Sequence, residues 1–167
     1  MLIRQPNTLG IYIHYPYCLQ KCHYCDFFSE PISNRTEDFN DNFVESIRSE
    51  FISRYNDFSH LKVVDSIFFG GGTASLLSTK HIHNLINFFG QHFSFSKNCE
   101  ITLEGNPENI NLEYLKDLEA IGVNRINVGI QTFAAELLTS MNRYFDLNSY
   151  NHILDLLSMS SIRSRGV

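Results

Sequence analysis

Residues 63–90 read VVDSIFFGGGTASLLSTKHIHNLINFFG, and they contain one complete strand-to-helix unit. Residues 63–69 are a β-branched and aromatic run of strand length. The run stops at Gly70-Gly71-Gly72-Thr73, a turn signal. Ser78 stands where a helix N-cap belongs. Ile82, Leu85, Ile86 and Phe89 follow at i, i+3, i+4 and i+7, the apolar stripe of a helix. Gly90 offers a C-terminal stop.

The same alternation extends in both directions. Residues 10–14 form a predicted first strand, followed at once by a cysteine-bearing loop. A polar stretch, residues 29–35, leads into a helix. Its Phe39, Phe43, Ile47, Phe51 and Tyr55 recur every four residues, with Val44 and Ile52 beside them. Residues 100–104 form a third strand and Gly105-Asn106-Pro107 a turn. Asn111 caps a short helix carrying Leu112, Leu115 and Leu118, closed by Gly122. Residues 124–130 form a fourth strand. Thr132 caps a helix running to Met141. Asp146 opens a last helix with Tyr150, Ile153, Leu154 and Leu157 on one face. Four βα units in a row predict an α/β fold, a parallel sheet with right-handed crossovers. Uneven strand spacing excludes a solenoid.

Every chemically suggestive residue lies just after a strand: the cysteine loop, the triple glycine, Glu104 and Gln131. Parallel α/β sheets bind ligands at that edge. The loop lies within residues 12–28, YIHYPYCLQKCHYCDFF, and carries Cys18, Cys22 and Cys25. Soft thiolates select zinc, copper(I) or iron–sulfur clusters. A structural zinc wants four ligands. Three thiolates on a four-iron cluster leave one iron open for substrate or cofactor. A zinc site completed by His14, His23 or Cys99 remains a second reading, and three unconnected buried thiols a third. Cys99 stands apart and reads as core.

The other strand ends are weaker alone. The glycine run lets backbone approach a ligand, or simply packs strand against helix. It is no phosphate-binding P-loop, since no Gly-Lys-Ser/Thr follows. Glu104 can accept hydrogen bonds from a ribose or an amino group, or be a solvated strand end. Gln131 has the same two readings. Arg143 can grip a carboxylate bidentately, or end a helix in solvent.

Bulk properties narrow the classes. The 167 residues suffice for one domain with a real core, and 43% are hydrophobic. With 14 Phe and no Trp, core volume comes from Phe, Ile and Leu. A net charge of -5 and the lack of a basic cluster argue against nucleic acid as a partner. No apolar run approaches the ~20 residues of a membrane span. Residues 1–8 are polar and carry no signal-peptide core. The expectation is a cytoplasmic protein, in which clustered cysteines bind metal rather than form disulfides.

The cysteine spacing, with an aromatic before the third Cys, resembles the radical S-adenosylmethionine superfamily. Longer strings narrow the match: YIHYPYC at 12–18, FFGGGTASLL at 68–77, EITLEGNP at 100–107 and GVNRINVGIQTF at 122–133. In this order they resemble the oxygen-independent coproporphyrinogen III oxidase-like family, from about residue 9 to Arg143. The resemblance implies that Cys18, Cys22 and Cys25 bind a four-iron, four-sulfur cluster. Its open iron would be chelated by the amino and carboxylate groups of S-adenosylmethionine. Electron donation would cleave the sulfonium, giving a 5'-deoxyadenosyl radical or a related reactive state. Tyr12, Gly71, Gly72, Thr73 and Glu104 match S-adenosylmethionine contacts, and Tyr24 the residue beside the adenine. Gln131 and Arg143 match contacts to a second S-adenosylmethionine in the oxidase branch.

Two features favour the heme chaperone branch over the true oxidases. The oxidases resemble one another in a further Cys two residues after the third ligand, where this sequence has Phe27. They also tend to carry a longer arm before the first strand. The chaperone branch implies heme or porphyrin as a partner, an electron donor and a heme-accepting protein. His14 and His23 are near enough to consider as heme ligands, and Tyr15 and Tyr17 can stack on a flat ring or merely pack. Ala74 stands where the family usually has Pro, which stiffens the turn less. The family's fold is a partial (βα)6 barrel followed by a further domain, whereas four units are legible here. The expectation is therefore one radical S-adenosylmethionine core domain over residues 1–167, incomplete at its C-terminus, with an atypical tail at 158–167. It would expose a sheet edge and an uncovered inner face. Porphyrinogen oxidation, a zinc module and an inactive fragment are the competing readings.

Overall fold

The computed structural model describes residues 7–32 and 37–167. Part of the polar N-terminal stretch, residues 1–6, and part of the polar approach to the first helix, residues 33–36, lie outside them. The elements in order are β1 (Thr8–Tyr15), β2 (Tyr17–Cys18), β3 (Glu30–Pro31), α1 (Glu37–Phe58), β4 (Val63–Gly71), α2 (Thr79–His92), β5 (Ser94–Gly105), α3 (Leu112–Ala120), β6 (Arg125–Val128), α4 (Ala135–Ser140), α5 (Leu147–Met159) and β7 (Ser164–Gly166). Short 3-10 turns follow β4 and β5.

Strands β1, β4, β5, β6 and β7 form one sheet in that order, with every pair parallel. The order never reverses, so the sheet is singly wound, as in a barrel, rather than doubly wound about a switch point. Side chains alternate across it. Ile13, Tyr15, Ile67, Phe69, Leu103, Ile126 and Val128 are buried with Leu85, Phe89, Leu115 and Leu118 from the helices. The alternate residues Tyr12, His14, Phe68, Glu104, Arg125 and Asn127 form the other face.

Three predicted caps are present: the side chains of Ser78, Asn111 and Asp146 accept from the backbone of His81, Tyr114 and Ser149. Thr132 is not a cap. Its Oγ1 accepts from Ala134 N–H at 3.2 Å inside the preceding turn, and α4 starts only at Ala135. Gly90 does not stop α2, which runs to His92 and ends as Phe93 enters the core. Ile52 and Leu154 are exposed, because each lies one step of about 100° off its helix's apolar stripe.

The sheet has a fifth strand where four were predicted. Residues 164–166 pair with β6, and Ser164 N–H donates to Asn124 O at 3.1 Å. Arg165 Nη1 ties the strand back to the carbonyls of Leu157 and Ser160, at 2.9 and 2.8 Å. Its side chains are polar, so no period-2 pattern marks it. Strand β5 starts six residues earlier than predicted. Its irregular first half is bridged by Asn124, which donates to Cys99 O and accepts from Ile101 N–H. Among the described residues, no helix is long and apolar enough to cross a membrane.

Candidate functional site

One cavity opens at the C-terminal edge of the sheet. Cys18, Cys22, Tyr24, Cys25, Gly71, Gly72, Thr73, Gln131 and Arg143 all line it, nine of the eleven residues singled out in the sequence. They come from the loops after β1, β4 and β6 and from the end of α4. The parallel sheet brings them together because each loop leaves the same edge.

The glycine turn fixes the cavity floor. Gly71 adopts φ +110, a conformation that side-chain-bearing residues avoid. Gly72 and Thr73 N–H donate to the carbonyls of Tyr15 and Tyr17, at 2.8 and 2.9 Å, stitching the turn to the cysteine loop. A Cβ on Gly72 would sit 2.8 Å from Tyr17 O and 3.0 Å from Cys18 Sγ. Gly72→Ala is therefore expected to push Cys18 away and to cost about 1–3 kcal/mol, read as a lowered Tm.

Cys18 is held by Ile32 N–H, which donates to its carbonyl at 2.9 Å, and by Thr73 Oγ1, 3.4 Å from its sulfur. Cys22 and Cys25 are joined by a turn, Cys25 N–H to Cys22 O at 3.2 Å. All three thiols are partly exposed, whereas Cys99 is buried. Burial and the nearby Asp65 and Glu100 push the Cys99 thiol up to about 11. Among the described residues, no group of three or more His, Cys, Asp or Glu is gathered to hold a single metal ion. The candidates for completing a zinc shell are engaged elsewhere. His14 Nε2 donates to Phe28 O at 2.8 Å, and His23 Nδ1 to Ser140 O at 3.2 Å. The donor set still fits a larger soft-metal centre: three partly exposed thiols line the cavity, and the bare Gly72 beside Cys18 leaves room there.

Arg143 is buried and joins four parts of the site. It donates to Tyr150 Oη at 2.8 Å, Tyr24 Oη at 3.1 Å, Asn106 Oδ1 at 2.8 Å and Gly129 O. Burial opposes its charge, but these bonds and the nearby Tyr24, Tyr150 and Glu108 hold its pKa above the ordinary value. Of its two sequence readings, the solvated helix end is not observed. Gln131 reaches the cavity through a left-handed turn, φ +67.

Tyr12 and Glu104 do not line this cavity. They lie on the open face of the sheet, close enough that Glu104 raises the Tyr12 pKa, second to burial. Tyr12 stacks on Phe68 at 5.8 Å between ring centres. Burial raises the Glu104 carboxyl above 4.5, partly offset by a hydrogen bond from Gly71 N–H. A carboxyl raised in the fold stabilises most below its unfolded value, and that contribution is lost as pH rises through the folded one. Glu104→Gln is therefore expected to raise Tm at neutral pH and leave it unchanged in acid. A neutral-pH Tm equal to or below that of the parent would count against this.

Asn106 and Glu108 are among the cavity residues that sequence reasoning missed. Asn106 donates to Thr73 Oγ1 at 3.4 Å while accepting from Arg143, so it links the glycine turn to the guanidinium. Glu108 also lines the cavity, its Oε2 buried without a hydrogen-bond partner, and burial raises its pKa. The only signal for either was its place after a strand.

Comparison with known proteins adds the following. A family model described as the Radical SAM superfamily matches residues 12–160. The protein named heme chaperone HemW from Haemophilus influenzae is 33% identical over 93% of this chain and 41% of its own length. That of Buchnera aphidicola subsp. Acyrthosiphon pisum is 35% identical over 91% of this chain and 40% of its own. The solved structure of coproporphyrinogen III oxidase (HemN) from Escherichia coli superposes with a TM-score of 0.81 at 26% identity. It covers 95% of this chain and 36% of that one. The chain thus spans about 40% of the length of these relatives.

Proposed function

The chain belongs to the radical SAM superfamily, and on that premise we propose that it is a cluster- and S-adenosylmethionine-binding protein of the heme chaperone type. The observation that carries the reading is the single cavity in which three thiols meet a glycine floor and a buried guanidinium. In this proposal Cys18, Cys22 and Cys25 hold a four-iron, four-sulfur cluster. When bound, that cluster supplies the electron that cleaves the sulfonium of S-adenosylmethionine.

The chain's own residues bind and orient. Thr73 Oγ1 donates to the Cys18 sulfur and holds it in place. Gly71 and Gly72 keep side chains out of the floor, so a ligand can approach the backbone. Tyr24, fixed by Arg143, offers a flat face for an adenine. Glu104 and Tyr12 bind ribose or amino groups from the open face, and Gln131 contributes an amide. Arg143 supplies positive potential for carboxylates and fixes the loops rather than standing free as a ligand. An electron donor, and a protein that accepts heme, complete the set of proposed partners.

Heme handling rests on the relatives named heme chaperone and on Phe27, which lines the cavity where the oxidases resemble one another in having Cys. The structural likeness to an oxidase favours one second reading, porphyrinogen oxidation. Two assays separate them. Anaerobic titration of the cluster-loaded protein with heme is expected to give saturable uptake in the Soret region. Incubation with coproporphyrinogen III, S-adenosylmethionine and a reductant is expected to give no protoporphyrinogen. Turnover without heme uptake would reverse the assignment.

A further inference from the structure

The cysteine loop is held in two halves. Cys18 is fixed by Ile32 and the glycine turn, while the half bearing Cys22 and Cys25 is docked on the end of α4. His23 N–H donates to Met141 O at 2.9 Å and its Nδ1 to Ser140 O at 3.2 Å, meeting carbonyls that a helix end leaves without internal partners. Asn142 sits at the centre of this contact. Its Nδ2 donates to Lys21 O at 2.8 Å, and its Oδ1 accepts from Gln20 Nε2 at 2.5 Å.

The backbone explains why the position is unusual. Asn142 has φ +52, with Asn142 N–H bonded to Thr139 O and Arg143 N–H to Leu138 O, both at 3.0 Å. This is a Schellman ending with Asn at C′. Helix α3 ends the same way: Gly122, φ +95, bonds to Glu119 O and Val123 to Leu118 O. Glycine serves where only the turn is needed. At α4 the left-handed position carries a side chain, and both polar ends of that side chain grip the cysteine loop. The next residue is Arg143, which reaches Tyr24 between Cys22 and Cys25.

We propose that Asn142 is a positioning residue for the cysteine loop, fixing Cys22 and Cys25 against the arm that carries Arg143. The proposal rests on the cluster-binding reading for its purpose, but not for its test. Asn142→Gly keeps the left-handed turn and removes both side-chain bonds, so the fold is expected to survive, as far-UV circular dichroism will show. In the metal-free, reduced protein, alkylation of each cysteine is followed by peptide mass mapping. Cys22 and Cys25 are expected to react about five- to thirty-fold faster in the variant, the range for loss of two hydrogen bonds. Cys18 and Cys99 are expected to keep their rates. Unchanged rates at Cys22 and Cys25 would overturn the proposal, as would equal acceleration at all four thiols. Iron uptake by the parent protein is measured separately. If it fails while the alkylation pattern holds, the cluster reading falls and the clamp stands.

Discussion

Cys22→Ala is expected to abolish iron retention after anaerobic reconstitution with iron and sulfide, whereas Cys99→Ala is expected to retain as much as the parent. Three thiolates are the fewest that hold a cluster while leaving one iron open, so removing one takes a third of the anchoring and exposes a second iron. Among the described residues, the other imidazole and thiol candidates, His14, His23 and Cys99, are engaged or buried. His14 and His23 are bonded to carbonyls, and Cys99 is buried in the core with its thiol pushed up to about 11. A thiol that resists ionisation is a poor ligand. The check is iron and sulfide per chain after desalting. Unchanged iron content in the triple Cys18, Cys22 and Cys25→Ala variant would remove the basis of the assignment.

Arg143→Ala is expected to lower stability by about 3–5 kcal/mol, the range for breaking a buried charged network. The reason is what stays behind: Asn106 Oδ1, Gly129 O, Tyr150 Oη and Tyr24 Oη all lose a donor. Unpaired buried acceptors cost more than the bonds themselves contribute. For a chain of this size the loss corresponds to roughly 10 °C or more in Tm. Arg143→Lys restores the charge but not the planar fork, and recovers little. A thermal or denaturant melt decides it, and an Arg143→Ala loss under about 1 kcal/mol would show the network to be incidental.

The parts of the fold legible in the sequence are those where a period had to be kept. The apolar stripe of α2 and the strand before it had to be continuous to bury Leu85 and Phe89 under Ile67 and Phe69. The strand-end residues were legible because topology alone sends them to one edge. What was not legible is held by backbone or by single polar side chains. Strand β7 is polar and pairs only through its main chain. Arg143 was read as a carboxylate grip or an exposed helix end, not as the buried hub of a network, because its partners, Tyr24, Asn106 and Tyr150, are scattered over the chain. Asn142 went unnoticed, since neither its left-handed turn nor its contact with residues 20 and 21 has a local signature. Glu104 sits at the end of its strand as expected and Tyr12 lies within β1, yet the pleat turns both to the other face of the sheet from Leu103 and Ile13.

A cluster held by only three thiolates keeps one iron open to S-adenosylmethionine. The most direct measurement is electron paramagnetic resonance of the reconstituted, reduced protein, recorded with and without S-adenosylmethionine. The expected result is a four-iron cluster signal whose g-values shift when S-adenosylmethionine is added. A protein that holds zinc in place of iron, or a cluster signal indifferent to S-adenosylmethionine, would contradict it.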